Sequence, residues 1–476
     1  LPFSLKSSGG RALGTAMAFA VAWLFVASNL SQSSGEELFW LTLLYTLCCL
    51  PTVLFTAGHR FSIPLMPMWG LGYFSMFGMP LLNKNHPTAD FTVFTAPEVI
   101  GALSLTVLGA FLLLLVLYTP LGSWAEAFVP NWKLPWNPQR APRIGLILTL
   151  VGIYFYSYRV SSSVASALQQ LFFIASQLAT IGTLTLFLLQ LRGQLSTKLK
   201  VFLWGFSLPA QLLLGLGTGA VWEVVRSFSP LLFCYSAERR RIPWKGMLVF
   251  AILLIPLLGV KSEYRSYAWD SEDSGVIRIT ESPFQRGMAF IELTLLRLKE
   301  GGVETYTVAA ETSQARINHL ELLIVLQQMT PSAVPYWKGE TYSTLLWALA
   351  PRILFPNKPT KTLGNEFGHR YDILSPEDES TSVNLPHQVL EMFINFGAVG
   401  VAFGMALLGG FYRLILAFLS HPEAGERATI IGCALLANLL GLDSDFSLVF
   451  GGVIYYVLLM LIFTRYLHLE KAPEPA

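Results

Sequence analysis

Residues 339–400 hold Arg352, Lys358, His369, Arg370, His387 and Glu391 within an otherwise apolar chain. Ionisable groups beside lipid are costly unless they face a cavity, a partner or a ligand, so this segment is the natural place to look for chemistry. Arg352 and Lys358 lie six positions apart in the proline-stiffened run PRILFPNKP. Arginine offers a planar fork to phosphate oxygens and lysine a compact charge, so the pair could clamp a diphosphate, or else anchor the chain at lipid headgroups. His369, His387, Glu366 and Glu391 are candidate general bases, because a carboxylate or imidazole in a partly dry cavity can take the proton of an attacking hydroxyl. Glu391 is the best placed, on the helical approach to an apolar run that begins at Phe396. The bland alternative for each histidine is a surface residue or a local hydrogen-bonder. Arg226 follows Glu223 by one helical turn inside another apolar run, which fits an internal ion pair, a water-filled cavity or an interfacial position. Asp443-Ser444-Asp445 matches a metal-phosphate pattern but stands in a short turn, where aspartate also caps helices. Tyr264, Tyr267, Trp269, Tyr306, Tyr336, Trp337, Tyr342 and Trp347 could stack on sugars, although membrane interfaces also collect such rings. Nucleotide-binding GxxxxGK[ST], HExxH, GxSxG and CxxC patterns are absent, which removes most support for ATP-driven transport and zinc hydrolysis.

The elements that must position these groups are membrane helices. The chain has 476 residues, 53% hydrophobic and 13% charged, a net charge of +2 and a mean hydropathy of +0.53. This composition belongs to polytopic membrane proteins. The four cysteines, Cys48, Cys49, Cys234 and Cys433, all sit in apolar runs and form neither a disulfide framework nor a zinc spacing. Apolar runs predict about twelve spans in an all-α fold, near 12–30, 37–57, 62–82, 97–120, 143–158, 163–191, 199–218, 219–236, 246–260, 396–419, 428–442 and 448–465. Pro64, Pro67, Gly70, Gly72 and Gly78 make the third bent or re-entrant. The first run is too long for a signal-peptide core and has no evident cleavage site, so it is expected to be a retained helix.

Basic residues fall on alternate connections: Lys6 and Arg11, Arg60, Lys133 with Arg140 and Arg143, Arg192 with Lys198 and Lys200, Arg239 to Arg241 with Lys245, Arg427, then Arg465 and Lys471. The opposite connections, apart from the long one, carry little beyond Lys84 and Arg159. The positive-inside rule therefore predicts cytoplasmic termini and a large helical extracytoplasmic loop between the ninth and tenth spans. The resulting division is an N-terminal bundle of about nine spans over 1–260, a loop over 261–395 bearing the active-site segment, and about three C-terminal spans with a short tail over 396–476. Within the loop, 283–298 and 312–328 carry apolar residues at helical spacing.

The order Arg316, GETY at 339–342, PRILFPNKP at 351–359, Ser382 and Asn384, E-x-x-x-NFG at 391–397 and GMALLGG at 404–410 resembles the Wzy-type polymerases of O-antigen and exopolysaccharide repeat units. The G-x-G before Arg226 and the basic loop after it are similar to the Gly/Arg-bearing span of that family. The resemblance covers the second half well and the first half only as a series of spans. It implies a GT-C-like, inverting, metal-independent glycosyltransferase without cofactor, at the outer face of a bacterial cytoplasmic membrane. Its donor and acceptor would be undecaprenyl-diphosphate-linked oligosaccharides, its protein partners a chain-length regulator and a flippase, and it would not engage nucleic acid. The implied catalytic residues are Glu391 or, failing that, His369 as base, with Arg352 on the leaving group. Arg226, Arg265, Arg316, Tyr342, Arg352, Lys358, Arg370, Asn384 and His387 would bind diphosphate and sugar. Energy stored in the sugar-diphosphate bond explains why no nucleotide motif is needed. A ligase using the same donor, a lipid-linked sugar flippase with its site near the midplane, and a scaffold of a secretion complex are the rivals.

Overall fold

A computed structural model of the chain describes residues 5–28, 30, 33–83, 85–86, 89–129, 137–161, 166–269, 282–302, 304, 306–307, 309–311, 317–348, 355, 363–378, 383, 385, 387–421, 425–441, 444–451, 453 and 457. These residues are helical almost throughout. The N-terminal part runs through α1 (Leu5–Ser28), α2 (Gly35–Thr56), α3 (Leu65–Phe77), α4 (Ala96–Tyr118), α5 (Ala141–Ser161) and α6 (Ser166–Leu191). It continues through α7 (Thr197–Phe202), a π turn and α8 (Leu208–Gly217) in one line, then α9 (Val221–Arg239) and α10 (Trp244–Trp269). After these come α11 (Pro283–Gly301), α12 (His319–Met329), α13 (Ser343–Ala348), α14 (Leu363–Arg370), α15 (Gln388–Leu419), α16 (Gly425–Leu439) and α17 (Phe446–Phe450). The strands among the described residues are a two-residue hairpin, Asn85–His86 with Ala89–Asp90.

Seven helices among the described residues are long and apolar enough to cross a membrane: Gly9–Ser28, Gly35–Thr56, Ala96–Tyr118, Phe172–Leu191, Thr197–Gly217, Trp244–Ser266 and Gln388–Leu419. The run predicted at 62–82 is divided into α3, of 13 residues, and a 3-10 turn at Met79–Asn83. At 1.5 Å per residue α3 reaches about 20 Å, short of the roughly 30 Å hydrocarbon layer. Similarly α16 has 15 residues, and most of the run predicted at 448–465 lies outside the described residues. Helix boundaries do not fall at 260 or 395, because α10 continues to Trp269 and α15 already begins at Gln388.

Local chemistry starts these helices. Ser34 accepts the Glu37 amide while the Glu37 carboxylate accepts the Ser34 amide, and Ser282 with Gln285 repeats the box at α11. Small residues then let helices approach: a Cβ on Gly152 would strike the Ala179 backbone, and one on Gly182 the Thr149 backbone, so α5 and α6 pack along their length. The α4–α15 contact works likewise, with Gly409 against the Leu113 carbonyl.

Ion pairs mark one end of the bundle. Glu126 receives both Arg60 and Arg413, Arg192 holds Glu238 and Glu426, and Arg240 donates to the carbonyls of His59 and Phe61 at 3.1 and 2.7 Å. Ser62 at this end meets Ser420, which closes α15. The first turn of α15, the start of α9 and the last turn of α5 consequently lie at the opposite end.

Candidate functional site

The site is built on the first turns of α15. His387 caps this helix, its Nδ1 accepting the Val389 amide at 3.0 Å, and its ring packs among Tyr73, Phe77 and His319. Burial, and then His319, pushes the imidazole well below its ordinary pKa, so it is neutral at pH 7 with the proton on Nε2. That Nε2 has no hydrogen-bond partner among the described residues. One residue on, Gln388 Nε2 donates to the Ser444 carbonyl at 3.0 Å. Glu391 is fully buried, and its Oε2 accepts the Phe446 amide at 2.7 Å.

Asn395 joins this helix to the 339–342 turn. Its Nδ2 donates to Thr341 Oγ1 at 2.9 Å and to the Glu391 carbonyl at 2.8 Å, while its Oδ1 accepts the Gly339 amide at 2.8 Å. The Trp337 and Lys338 amides add bonds to the carbonyls of Ile394 and Asn395 at 3.0 and 3.2 Å. Gly397 interrupts α15 with φ 66° and ψ −154°, a conformation that only glycine adopts at low cost. A Cβ there would lie 2.8 Å from the Tyr336 hydroxyl. The GETY and E-x-x-x-NFG segments, about fifty residues apart in sequence, thus form one docked unit.

An apolar groove of about 570 Å³ runs from this unit down α15, within the size range of small-molecule pockets. Tyr342 and Phe446 close its end near Glu391, and Met392, Phe396, Phe403 and Leu407 form its wall. Phe403 is 71% exposed, so the groove opens sideways on the flank of the bundle. Burial, and then the Glu391 charge, keeps the Tyr342 phenol protonated far above its ordinary range. The geometry thus places the Tyr342 phenol on the wall of an apolar channel, with the Glu391 carboxylate enclosed behind the Tyr342–Phe446 end and not itself among the lining residues.

Other sequence candidates lie elsewhere. Arg370 stacks 3.9 Å over the Trp337 ring and pairs with Glu340 and Glu366, so its guanidinium is already shared by two carboxylates. His369 precedes it on α14, and its Nδ1 is buried without a hydrogen-bond partner among the described residues. Arg226 is 7% exposed and pairs with Glu223, which realises the ion-pair alternative. Arg265 Nε donates to the Gly219 carbonyl at 2.9 Å. Arg316, Arg352, Lys358 and Asn384 lie outside the described residues. Asp443 does too, while Asp445 caps α17, accepting the Ser447 amide at 2.8 Å and hydroxyl at 2.6 Å.

Sequence reasoning did not single out Arg159, whose Nη2 meets Glu223 at 2.8 Å, or Phe446 and the groove wall. Arg159 carried a signal, as a lone cation on a connection otherwise poor in charge. The groove wall carried none, because lipid-facing and core-facing positions are equally apolar.

The chain matches no curated protein and no solved structure. Residues 136–472, which include α15, the 339–342 turn and the groove lining, match a family described as a domain of unknown function, DUF8712. The chain belongs to that family.

Proposed function

We propose that this chain is a membrane glycosyltransferase that polymerises undecaprenyl-diphosphate-linked oligosaccharide repeat units into a surface polysaccharide. The observation that carries this reading is the docked GETY and E-x-x-x-NFG unit at the head of an apolar groove open on the bundle's flank. A polyprenyl chain needs an apolar seat that it can enter from the bilayer, and its reacting sugar needs acid–base groups at the end of that seat. In the reaction, an acceptor sugar hydroxyl attacks the donor's anomeric carbon with inversion. The bond from that carbon to the diphosphate breaks, and undecaprenyl diphosphate leaves with the electron pair. Glu391 takes the hydroxyl proton, with His369 the alternative base, and no metal is required. Arg352, Lys358 and Arg316 hold the departing diphosphate, where fixed cations stabilise the charge as it develops.

In this reading the chain spans a bacterial cytoplasmic membrane about twelve times, with both termini cytoplasmic and the 261–395 segment outside. The gathering of Arg60, Arg192, Arg239 and Arg240 at the end opposite Glu391 supports that orientation. Incubating the purified protein with a defined undecaprenyl-diphosphate oligosaccharide should give a ladder of products, with or without chelator. Product no longer than the starting unit would overturn the assignment.

A further inference from the structure

The last turn of α5 and the first turns of α9 enclose a charge cluster separate from the groove. Arg159 Nη2 donates to Glu223 Oε1 at 2.8 Å, the Tyr156 hydroxyl to Oε2 at 3.2 Å, and Arg226 also pairs with Oε2. Phe173 lies beneath both guanidiniums, 5.2 Å from that of Arg159 and 4.5 Å from that of Arg226. The side chains of Arg159, Glu223 and Arg226 are only 16%, 13% and 8% exposed. Among the described residues two guanidiniums face one carboxylate, an excess of positive charge where water is scarce and an expensive arrangement without a further anion. Arg159 Nη1 is moreover buried with no hydrogen-bond partner among the described residues, a charged donor with nothing to receive it. The adjoining start of α9 has Ala220 as its cap residue and no side-chain cap, after a turn in which Gly219 takes φ +69°. A helix N-terminus of this kind favours negative charge nearby.

The cluster is not part of the groove's surroundings. Tyr156 packs with Ile153 and Leu214, and Val224 with Tyr264 and Phe290, in two apolar groups distinct from the one containing Met392 and Phe393.

We propose that Arg159 and Arg226 form a second anion site, which takes the phosphate or diphosphate head of a lipid, with Glu223 as the resident counter-ion that the ligand displaces. The diphosphate as ligand class rests on the function proposed above; the excess charge and the unpartnered guanidinium nitrogen do not. Glu223 holds the two arginines in register while the site is empty. An entering phosphate takes over part of their charge and accepts a hydrogen bond from Nη1, which has no partner among the described residues.

Equilibrium binding and thermal stability of the purified full chain test this with three probes: inorganic diphosphate, farnesyl diphosphate, and phosphatidylglycerol in phosphatidylcholine nanodiscs. Arg159→Gln should weaken binding about tenfold or more, as expected for loss of a charge-assisted bond. Glu223→Gln should do the opposite. With no carboxylate competing, affinity should rise several-fold, and the melting temperature should become dependent on added anion. A response to farnesyl diphosphate or phosphatidylglycerol alone identifies a lipid head, and a response to inorganic diphosphate as well identifies the phosphate group itself as sufficient. Equal binding by wild type and Arg159→Gln would overturn the site, as would a Glu223→Gln protein destabilised with no gain in anion affinity. If Arg159→Gln fails to fold, Arg159→Lys and Glu223→Gln still carry the comparison. Binding needs no turnover, so the two ideas fail separately. Polymer formation with Arg159-independent binding would remove only this site, and Arg159-dependent binding without polymer would remove only the polymerase assignment.

Discussion

Glu391→Gln and Glu391→Ala separate the two jobs that the buried carboxylate could hold. Its Oε2 accepts the Phe446 amide at 2.7 Å, and the side chain is wholly enclosed. Glutamine keeps an acceptor of the same shape, so the change exchanges a bond to a charged group, worth about 1.5–3 kcal/mol, for a neutral one of about 0.5–1.5 kcal/mol. The expected loss of stability is about 1 kcal/mol. Alanine instead leaves the Phe446 amide without an acceptor, at about 1–3 kcal/mol, and adds the loss of packing around a void. Stability alone therefore predicts a mild glutamine variant and a damaged alanine one. If Glu391 takes the acceptor's proton, both variants lose that step, and general-base catalysis typically contributes about 10²–10⁴ in rate. Melting curves in detergent and initial rates of ladder formation should then show Glu391→Gln close to wild type in the first and at least a hundredfold down in the second. A glutamine variant that polymerises within a few-fold of wild type would refute the base assignment and leave Glu391 as an anchor for α17.

Phe403→Ala should raise KM for a full-length undecaprenyl donor by about tenfold, the worth of part of a buried phenyl ring, while leaving a farnesyl-linked donor little changed; equal effects on both would remove the groove as the chain's seat. His387 has a folded pKa well below the ordinary value of about 6.5, so the unfolded chain binds its proton first as pH falls and stability present above that value is progressively lost below it. His387→Asn, which retains a capping acceptor, should flatten the fall in melting temperature between about pH 7.5 and 5.5. His59 is shifted the same way and leaves part of the slope; an unchanged slope would mean that His387 contributes nothing to it.

How much of this was legible in the sequence depends on the range of the interaction involved. Glu223 and Arg226 are one helical turn apart, and their pairing could be read directly. Arg159 reaches the same carboxylate from 64 residues away, and no periodicity announces that. Glycine in NFG could be expected to break a helix, but its reason, the Tyr336 hydroxyl against it, comes from another element. Hydropathy marked apolar runs well but did not foresee that α3 and α16 are short, because it measures solvent preference and not length along the bilayer normal. The 62–82 run remains apolar throughout since most of α3 is buried against other helices. The groove was invisible for a related reason: Phe403, exposed on the flank, and Met405, buried in the core, are the same kind of residue to a hydropathy scale.

A reaction that joins two lipid-linked substrates has an electrostatic difficulty that a single-substrate enzyme avoids. Two diphosphate heads must be held at once, and even single charges 4 Å apart repel by about 4 kcal/mol at an effective dielectric of 20. The repulsion is avoided if each head has its own cations and only the sugars meet. On the functions proposed here, Arg316, Arg352 and Lys358 hold one head, and the Arg159–Arg226 cluster, at the same end of the bundle as Glu391, holds the other. The groove side carries Glu391 and Tyr342, which suits the transferring centre. Among the described residues the arginine side carries two guanidiniums and one carboxylate, which suits a head that must bind and then leave. Glu223→Gln should accordingly trap the lipid at the arginine side and slow repeated addition more than the first addition. A variant that shortened every product equally from the first step would argue that the two places do not serve successive substrates.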